Sequence, residues 1–195
     1  VIKNPVNNIP NNDFDPFAGP EIEFYVPSTE SQLEIWLSCK LGGEDANRAF
    51  NESLSIRFKG DLKKEYFEKS LIDLCVRHES LRSAFSEDGT QMVVFRETQL
   101  IFYYEDISLL CTDEIDKRIN DYVKNDALFV FDLTKGPLCK FSLFKLSEDE
   151  FYFTLTAHHI ICDGWSMGVI LKDFGKYYSA YVRHEIAVFE PPDSF

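Results

Sequence analysis

The sequence predicts an α/β (α+β) fold, and three observations predict it. Apolar alternation typical of strands and 3.6-residue stripes typical of helices succeed one another along the chain instead of segregating. Eighteen Phe and nine Tyr favour an aromatic-rich core with strands. At 195 residues with 45% hydrophobic side chains, the chain is long and apolar enough for one substantial core.

Taken in order, residues 1–27 are rich in Asn, Pro and Asp and show no period, so they read as an N-terminal linker. Thr29 and Gln32 have capping-box spacing ahead of an apolar stripe, Leu33, Trp36, Leu37 and Leu41, that is expected to stop at Gly42-Gly43. Leu54, Ile56 and Phe58 alternate along a strand from Asn51 to Lys59. Asp61 is the expected cap of a helix that places Phe67, Leu71, Leu74, Cys75 and His78 on one face, so His78 reads as a packed, hydrogen-bonded residue. Asp88-Gly89 marks a hairpin turn before Met92 to Phe95, and Ile101 to Tyr104 is a further short strand. Thr112 opens a helix with an acidic first turn, carrying Ile115, Ile119, Tyr122 and Val123. Gly136-Pro137 breaks the chain, and Leu138 to Leu146 is a strand turning back at Ser147 to Glu150. The body of the domain is placed at 28–185, with 186–195 as a second linker.

The return arm of that hairpin, Phe151 to Thr156, is aromatic or β-branched with one Leu, and neither of its faces is polar. Both faces are therefore expected to be covered and the strand to be central. It runs into His158, His159, Asp163, Gly164 and Trp165, an ending that packing alone does not require. Side chains alternate across an extended strand, so His158 and His159 point to opposite faces. Ser166 is the expected N-cap of a helix with Met167, Ile170, Leu171, Phe174, Tyr177, Tyr178 and Tyr181 at helical spacing, ending near His184. A strand–loop–helix junction of this kind presents polar groups on rigid supports.

Composition excludes several classes. A net charge of −13 argues against nucleic acid or an anionic membrane surface as partner. No apolar run reaches the length of a membrane span, and the first residues lack a signal-peptide core. The five scattered cysteines, odd in number and without a CxxC pair, read as reduced thiols in a cytoplasmic protein. A zinc site would need a third ligand beyond two histidines that point apart. Cys162 as the nucleophile of a Cys/His pair, and a His159–Asp163 dyad, are the competing catalytic readings.

Three stretches resemble, in order, the core motifs of the condensation domains of non-ribosomal peptide synthetases. HHIICDG, from His158 to Gly164, resembles their HHxxxDG motif, extended by Trp165 and Ser166. RHESLRSAF, Arg77 to Phe85, resembles the second core motif, with Ser83 replacing the usual Thr. STESQLEIWL, Ser28 to Leu37, resembles the first, although the family's arginine after the glutamine is missing. The resemblance implies the motif-bearing N-terminal lobe of a chloramphenicol acetyltransferase-like pair of lobes, a mixed β-sheet flanked by helices, with the second lobe expected beyond this chain. It implies amide formation between a donor thioester and an acceptor aminoacyl group, each held on the phosphopantetheine arm of a carrier domain, with no directly bound cofactor and no metal. Partners would be the upstream donor and downstream acceptor carriers, the second lobe and adjacent synthetase domains. The catalytic group would be His159, as general base or as a positioning group. His158 would support the motif, and Gly164 would let substrate approach backbone N–H groups. Asp163 would form a structural ion pair with Arg77, or alternatively with Arg82. Trp165 is expected to pack. A non-catalytic carrier-binding scaffold, or a different HxxxD acyltransferase using acyl-CoA, are the alternatives.

Overall fold

The computed structural model describes residues 20–97 and 99–189. Its first element is a strand, β1 (Ile22–Pro27), where a linker is expected from composition. Backbone pairing overrides composition here: β1 lies antiparallel to β4 (Gln91–Phe95), with Tyr25 opposite Val93. Residues 1–19 and 190–195, most of the two expected linkers, lie outside the described residues. Helix α1 (Glu30–Ala49) starts with the expected capping box, in which the Thr29 hydroxyl accepts from the Gln32 N–H and Gln32 Oε1 accepts from the Thr29 N–H. It does not stop at the glycine pair. Gly43, at φ 65° and ψ −150°, absorbs a kink and the helix resumes to Ala49. The resumed turn is held by Arg48 bonding Glu44 and Asp45, and by Asn47, whose side chain bonds the Phe131 backbone in both directions.

Strand β2 (Asn51–Lys59) and helix α2 (Lys64–Arg77) follow. The α2 cap position is Lys63, not Asp61; the Asp61 carboxylate is taken up by the Lys63 ammonium, while the Lys63 N–H donates to Tyr178 Oη. A single 3₁₀ turn, Glu79–Arg82, leads into β3 (Ser83–Phe85), which forms the expected hairpin with β4. The turn needs Gly89: its φ is +73°, and a Cβ there would meet the Trp36 ring at 2.4 Å. Strand β5 (Phe102–Asp106), helix α3 (Thr112–Ala127), strands β6 (Cys139–Lys145) and β7 (Glu150–His158), and helix α4 (Gly164–Arg183) complete the chain.

Two sheets result. One is antiparallel, in the order β1-β4-β3; the other has the order β2-β7-β6-β5 and is mixed, since β5 runs parallel to β6. β7 is central, as its apolar faces require, with β2 and β6 antiparallel on either side. Phe151, Phe153, Leu155 and Ala157 meet the main core with Phe67, Leu71 and Leu74 of α2 and Ile170 of α4. Phe67 stands edge-on to Phe153 and Phe174 at 5.3 and 4.7 Å. On the opposite face, Ile119 of α3 packs with Ile107, Phe144 and Leu146, beside Tyr152. Below that cluster lie buried polar pairs: Ser142 with Thr154 at 2.6 Å, and Asp126 with Thr156 and with Lys140.

Candidate active site

The site forms where β7 ends, flanked by the first residues of β2 and the N-termini of α1 and α4. In the β2–β7 register Asn51 is opposite His158 and Glu52 opposite Ala157. The turn after His158 is closed by the Ile161 N–H on the His158 carbonyl at 3.0 Å. It is tied to α1 by Gln32 Nε2, which donates to the Ile160 carbonyl at 3.2 Å. Gln32 thus serves both the helix cap and the histidine turn.

The two histidines have separate surroundings, as their alternation requires. His158 is fully buried, between Phe50 and Phe131 with ring centroids 5.9 and 6.1 Å away. Its Nδ1 accepts from the Ile160 N–H at 3.2 Å, so any ring proton of the neutral form sits on Nε2, which faces Cys39 Sγ at 3.8 Å. Burial, and secondarily the adjacent His159, push its pKa down to about 4, so the ring is neutral at pH 7. It is a structural residue of the turn.

His159 is partly open, with 37% of its side chain exposed. Its N–H donates to the Phe50 carbonyl at 2.8 Å, which fixes the backbone. Ring Nδ1 lies 3.1 Å from the Cys162 carbonyl and 2.8 Å from Glu52 Oε1. A carbonyl and a carboxylate only accept, so Nδ1 carries the proton. In the neutral ring Nε2 is therefore the basic nitrogen.

Asp163 is the N-cap of α4, three residues before the expected Ser166. Its Oδ1 accepts from the Ser166 N–H at 2.7 Å and from the Ser166 hydroxyl at 2.6 Å. These bonds, the hydroxyl's first, hold its carboxyl below the usual range. The expected ion pair does not form. Arg77 Nε bonds Asp173 Oδ2 at 2.9 Å, and Arg82 Nη1 bonds Glu23 at 2.6 Å and the Phe95 carbonyl. The physical reason is exposure: Asp163 stands in solvent at a helix entry and needs no buried counter-charge, whereas Asp173 is buried in the middle of α4 and does. His78, also expected to pack, joins Arg77 there, with Nε2 3.1 Å from Asp173. Gly164 opens α4, and a Cβ there would meet nothing within 4 Å, so the helix entry is unobstructed. Trp165, expected to pack, is 84% exposed instead.

The competing chemistries find little support. The Cys162 thiol is buried and its pKa is pushed up to about 12, by burial first and then by the charges of Glu52 and Asp163, which suppresses the thiolate. The His159 Nδ1 proton goes to the Cys162 carbonyl, beside Glu52, and not to Asp163, so the dyad reading fails. Among the described residues no group of three or more His, Cys, Asp or Glu side chains is placed to hold a metal ion. The apolar cavity of about 290 Å³ between β2 and α4, lined by Ile56, Phe58, Phe153 and Phe174, does not include His159. Two residues escaped the sequence reading, Glu52 and Asp173. Both had a signal: each is an acid on an otherwise apolar stripe, Glu52 with Leu54, Ile56 and Phe58, and Asp173 with Ile170, Phe174 and Tyr177.

A two-histidine strand end beside a capped helix, on a mixed sheet, is the arrangement that the HHxxxDG resemblance leads one to expect. The family model of the condensation domain matches residues 23–192. A linear gramicidin synthase of Brevibacillus parabrevis is 34% identical over 165 residues, 84% of this chain and 3% of the relative. Bacitracin synthase 3 of Bacillus licheniformis is 34% identical over 137 residues, 69% of this chain and 2% of the relative. Among solved structures, the starter condensation domain of rhizomide synthetase superposes with a TM-score of 0.75 at 20% identity, covering 85% of this chain and 41% of that one. The X-domain complexed with OxyB from teicoplanin biosynthesis superposes at 0.71 with 27% identity, covering 85% of this chain and 35% of that one. The chain belongs to the condensation-domain family. It spans a few per cent of the curated relatives and about two fifths of the solved domain.

Proposed function

We propose that this chain is the motif-bearing lobe of a condensation domain that joins a carrier-bound acyl or peptidyl thioester to a carrier-bound aminoacyl group. The observation that carries the reading is the state of His159: Nδ1–H is held by the Cys162 carbonyl with the Glu52 carboxylate beside it, and Nε2 is the basic nitrogen of a partly exposed ring. The acceptor's amine attacks the donor's thioester carbonyl. A C–N bond forms, the C–S bond breaks, and the amine's proton passes through His159 Nε2 to the departing thiolate. The products are an amide on the acceptor arm and a free thiol on the donor arm. A thioester is already activated, so the lobe's work is to orient the amine, hold it neutral and relay one proton. The open entry of α4 at Gly164 gives the developing oxyanion access to helix N-terminal amides.

Substrates arrive on phosphopantetheine arms, so the lobe itself needs no bound cofactor. Its partners are the upstream and downstream carriers, the second lobe and neighbouring synthetase domains. No helix among the described residues is long and apolar enough to cross a membrane. All five cysteines are free thiols, which supports work in the cytoplasm.

The test is product formation by the two-lobed domain containing this chain, mixed with an acyl-loaded donor carrier and an aminoacyl-loaded acceptor carrier and read by mass spectrometry of the acceptor arm. His159→Ala is expected to lower the single-turnover rate by about 10²–10⁴-fold, the range for loss of a general base. An unchanged rate would remove His159 from the chemistry. No product from several loaded pairs, with the domain folded, would favour a carrier-binding scaffold.

A further inference from the structure

We infer that Glu52 is a positioning residue for His159: its carboxylate lies against ring Nδ1 and faces the positive charge that the ring carries while it holds the amine's proton at Nε2. The inference rests on the proposed role of His159. Glu52 belongs to the edge strand β2, on the same side as Leu54, Ile56 and Phe58, and is opposite Ala157 of β7 in the register. A carboxylate on the apolar side of an amphipathic strand needs a reason. Its Oε1 lies 2.8 Å from Nδ1, closer than the Cys162 carbonyl at 3.1 Å. The Nδ1–H bonds the Cys162 carbonyl, and that carbonyl alone is enough to fix the tautomer. What the carboxylate adds is charge. Glu52 is 34% exposed and His159 37%, so water screens the pair only in part until substrate or a second lobe covers it. No other carboxylate lies within ion-pair distance of the His159 ring among the described residues: the Asp163 side chain bonds Ser166.

The expected consequence is a loss of turnover without a loss of binding. In the two-lobed domain with the loaded carrier pair, Glu52→Gln keeps an acceptor but no charge, and Glu52→Leu keeps neither. Both are expected to slow the single-turnover rate by roughly tenfold to a hundredfold, the range for a partner that orients a histidine through its other ring nitrogen. The carrier concentration that half-saturates the reaction is expected to stay within about twofold, since the proposed role of Glu52 acts through the His159 ring. In a His159→Ala background the Glu52→Gln change is expected to have no further effect, because the partner it acts through is gone. An independent readout is proton NMR of the 15N-histidine-labelled domain. The downfield Nδ1–H resonance, assigned by its loss in His159→Ala, is expected to move upfield in Glu52→Leu. An equal slowing by Glu52→Gln with and without His159 would make Glu52 merely structural and overturn the inference. So would an unslowed Glu52→Leu enzyme whose Nδ1–H resonance has not moved. If His159→Ala itself keeps the parent rate, the proposed role of His159 fails. An upfield shift of Nδ1–H in Glu52→Leu would then mark the contact as real but without catalytic use, which also overturns the inference.

Discussion

Adjacent histidines of identical chemistry are separated at this site by surroundings alone. His158 enters a pocket of Phe50, Phe131 and Cys39, and His159 leaves the strand toward Glu52 and water. The alternation was legible in the sequence, but which histidine is buried was not, because both faces of β7 are apolar. The decision is made by Phe131, pinned by Asn47 at a sequence separation of 84 residues, which no local pattern displays. Burial of His158 has a measurable cost in acid. Its folded-state pKa is about 4, below the ordinary value of 6.5, so on acidification the unfolded chain takes up this proton first. The contribution to stability is complete above pH 6.5 and is lost as pH falls from 6.5 to 4. The gap between 6.5 and about 4 corresponds to at most roughly 3 kcal/mol. Urea unfolding at pH 7 and pH 5 is expected to show a drop in the parent that His158→Gln, though weaker at pH 7, lacks in part. Equal slopes in both proteins would place the ring's proton uptake elsewhere.

Helix α4 carries two acids with different tasks, and its stability separates them. Asp163 caps the N-terminus from solvent, while Asp173, inside the helix, takes Arg77 and His78 from the end of α2 and so braces the two helices. The sequence showed the helix and its apolar stripe but assigned the cap to Ser166. Both residues are good caps, and the pattern alone does not rank two candidates three positions apart. The Asp163–Arg77 pair failed for a related reason: motif order puts residues near one another without saying which carboxylate is buried. Asp163→Ala is expected to cost about 1 kcal/mol and Asp163→Asn almost nothing, since Asn caps as well as Asp. Asp173→Ala removes the buried carboxylate that Arg77 and His78 both bond and is expected to cost about 3–5 kcal/mol. Chemical denaturation orders the three variants. A large loss in Asp163→Asn would show that its charge, and not its cap bond, is what the fold needs.

At the scale of the molecule, sheet order and strand pairing follow from patterns that period and motif order carry well. β7 is central because neither of its faces is polar, and β2 lies beside it with one apolar face. The parallel placing of β5 on β6 and the pairing of β1 are non-local choices, and composition misassigned β1 as linker. The site is one-sided: His159 is partly in water, nothing stands over Gly164, and Trp165 beside it is uncovered. An amine and a thioester meeting on such a surface are neither oriented from both sides nor screened from water, and orientation is the main thing this reaction asks of the protein. On the proposed two-lobed reading, the second face belongs to the other lobe. The isolated 195 residues are therefore expected to unfold cooperatively on heating, as a chain with its own core does, yet to form no carrier-dependent amide. Circular dichroism melting and mass spectrometry of the acceptor arm check the two halves of this statement on one sample. Product from the folded chain alone would show that one face suffices, and would move the burden of orientation from a second lobe to the carriers themselves.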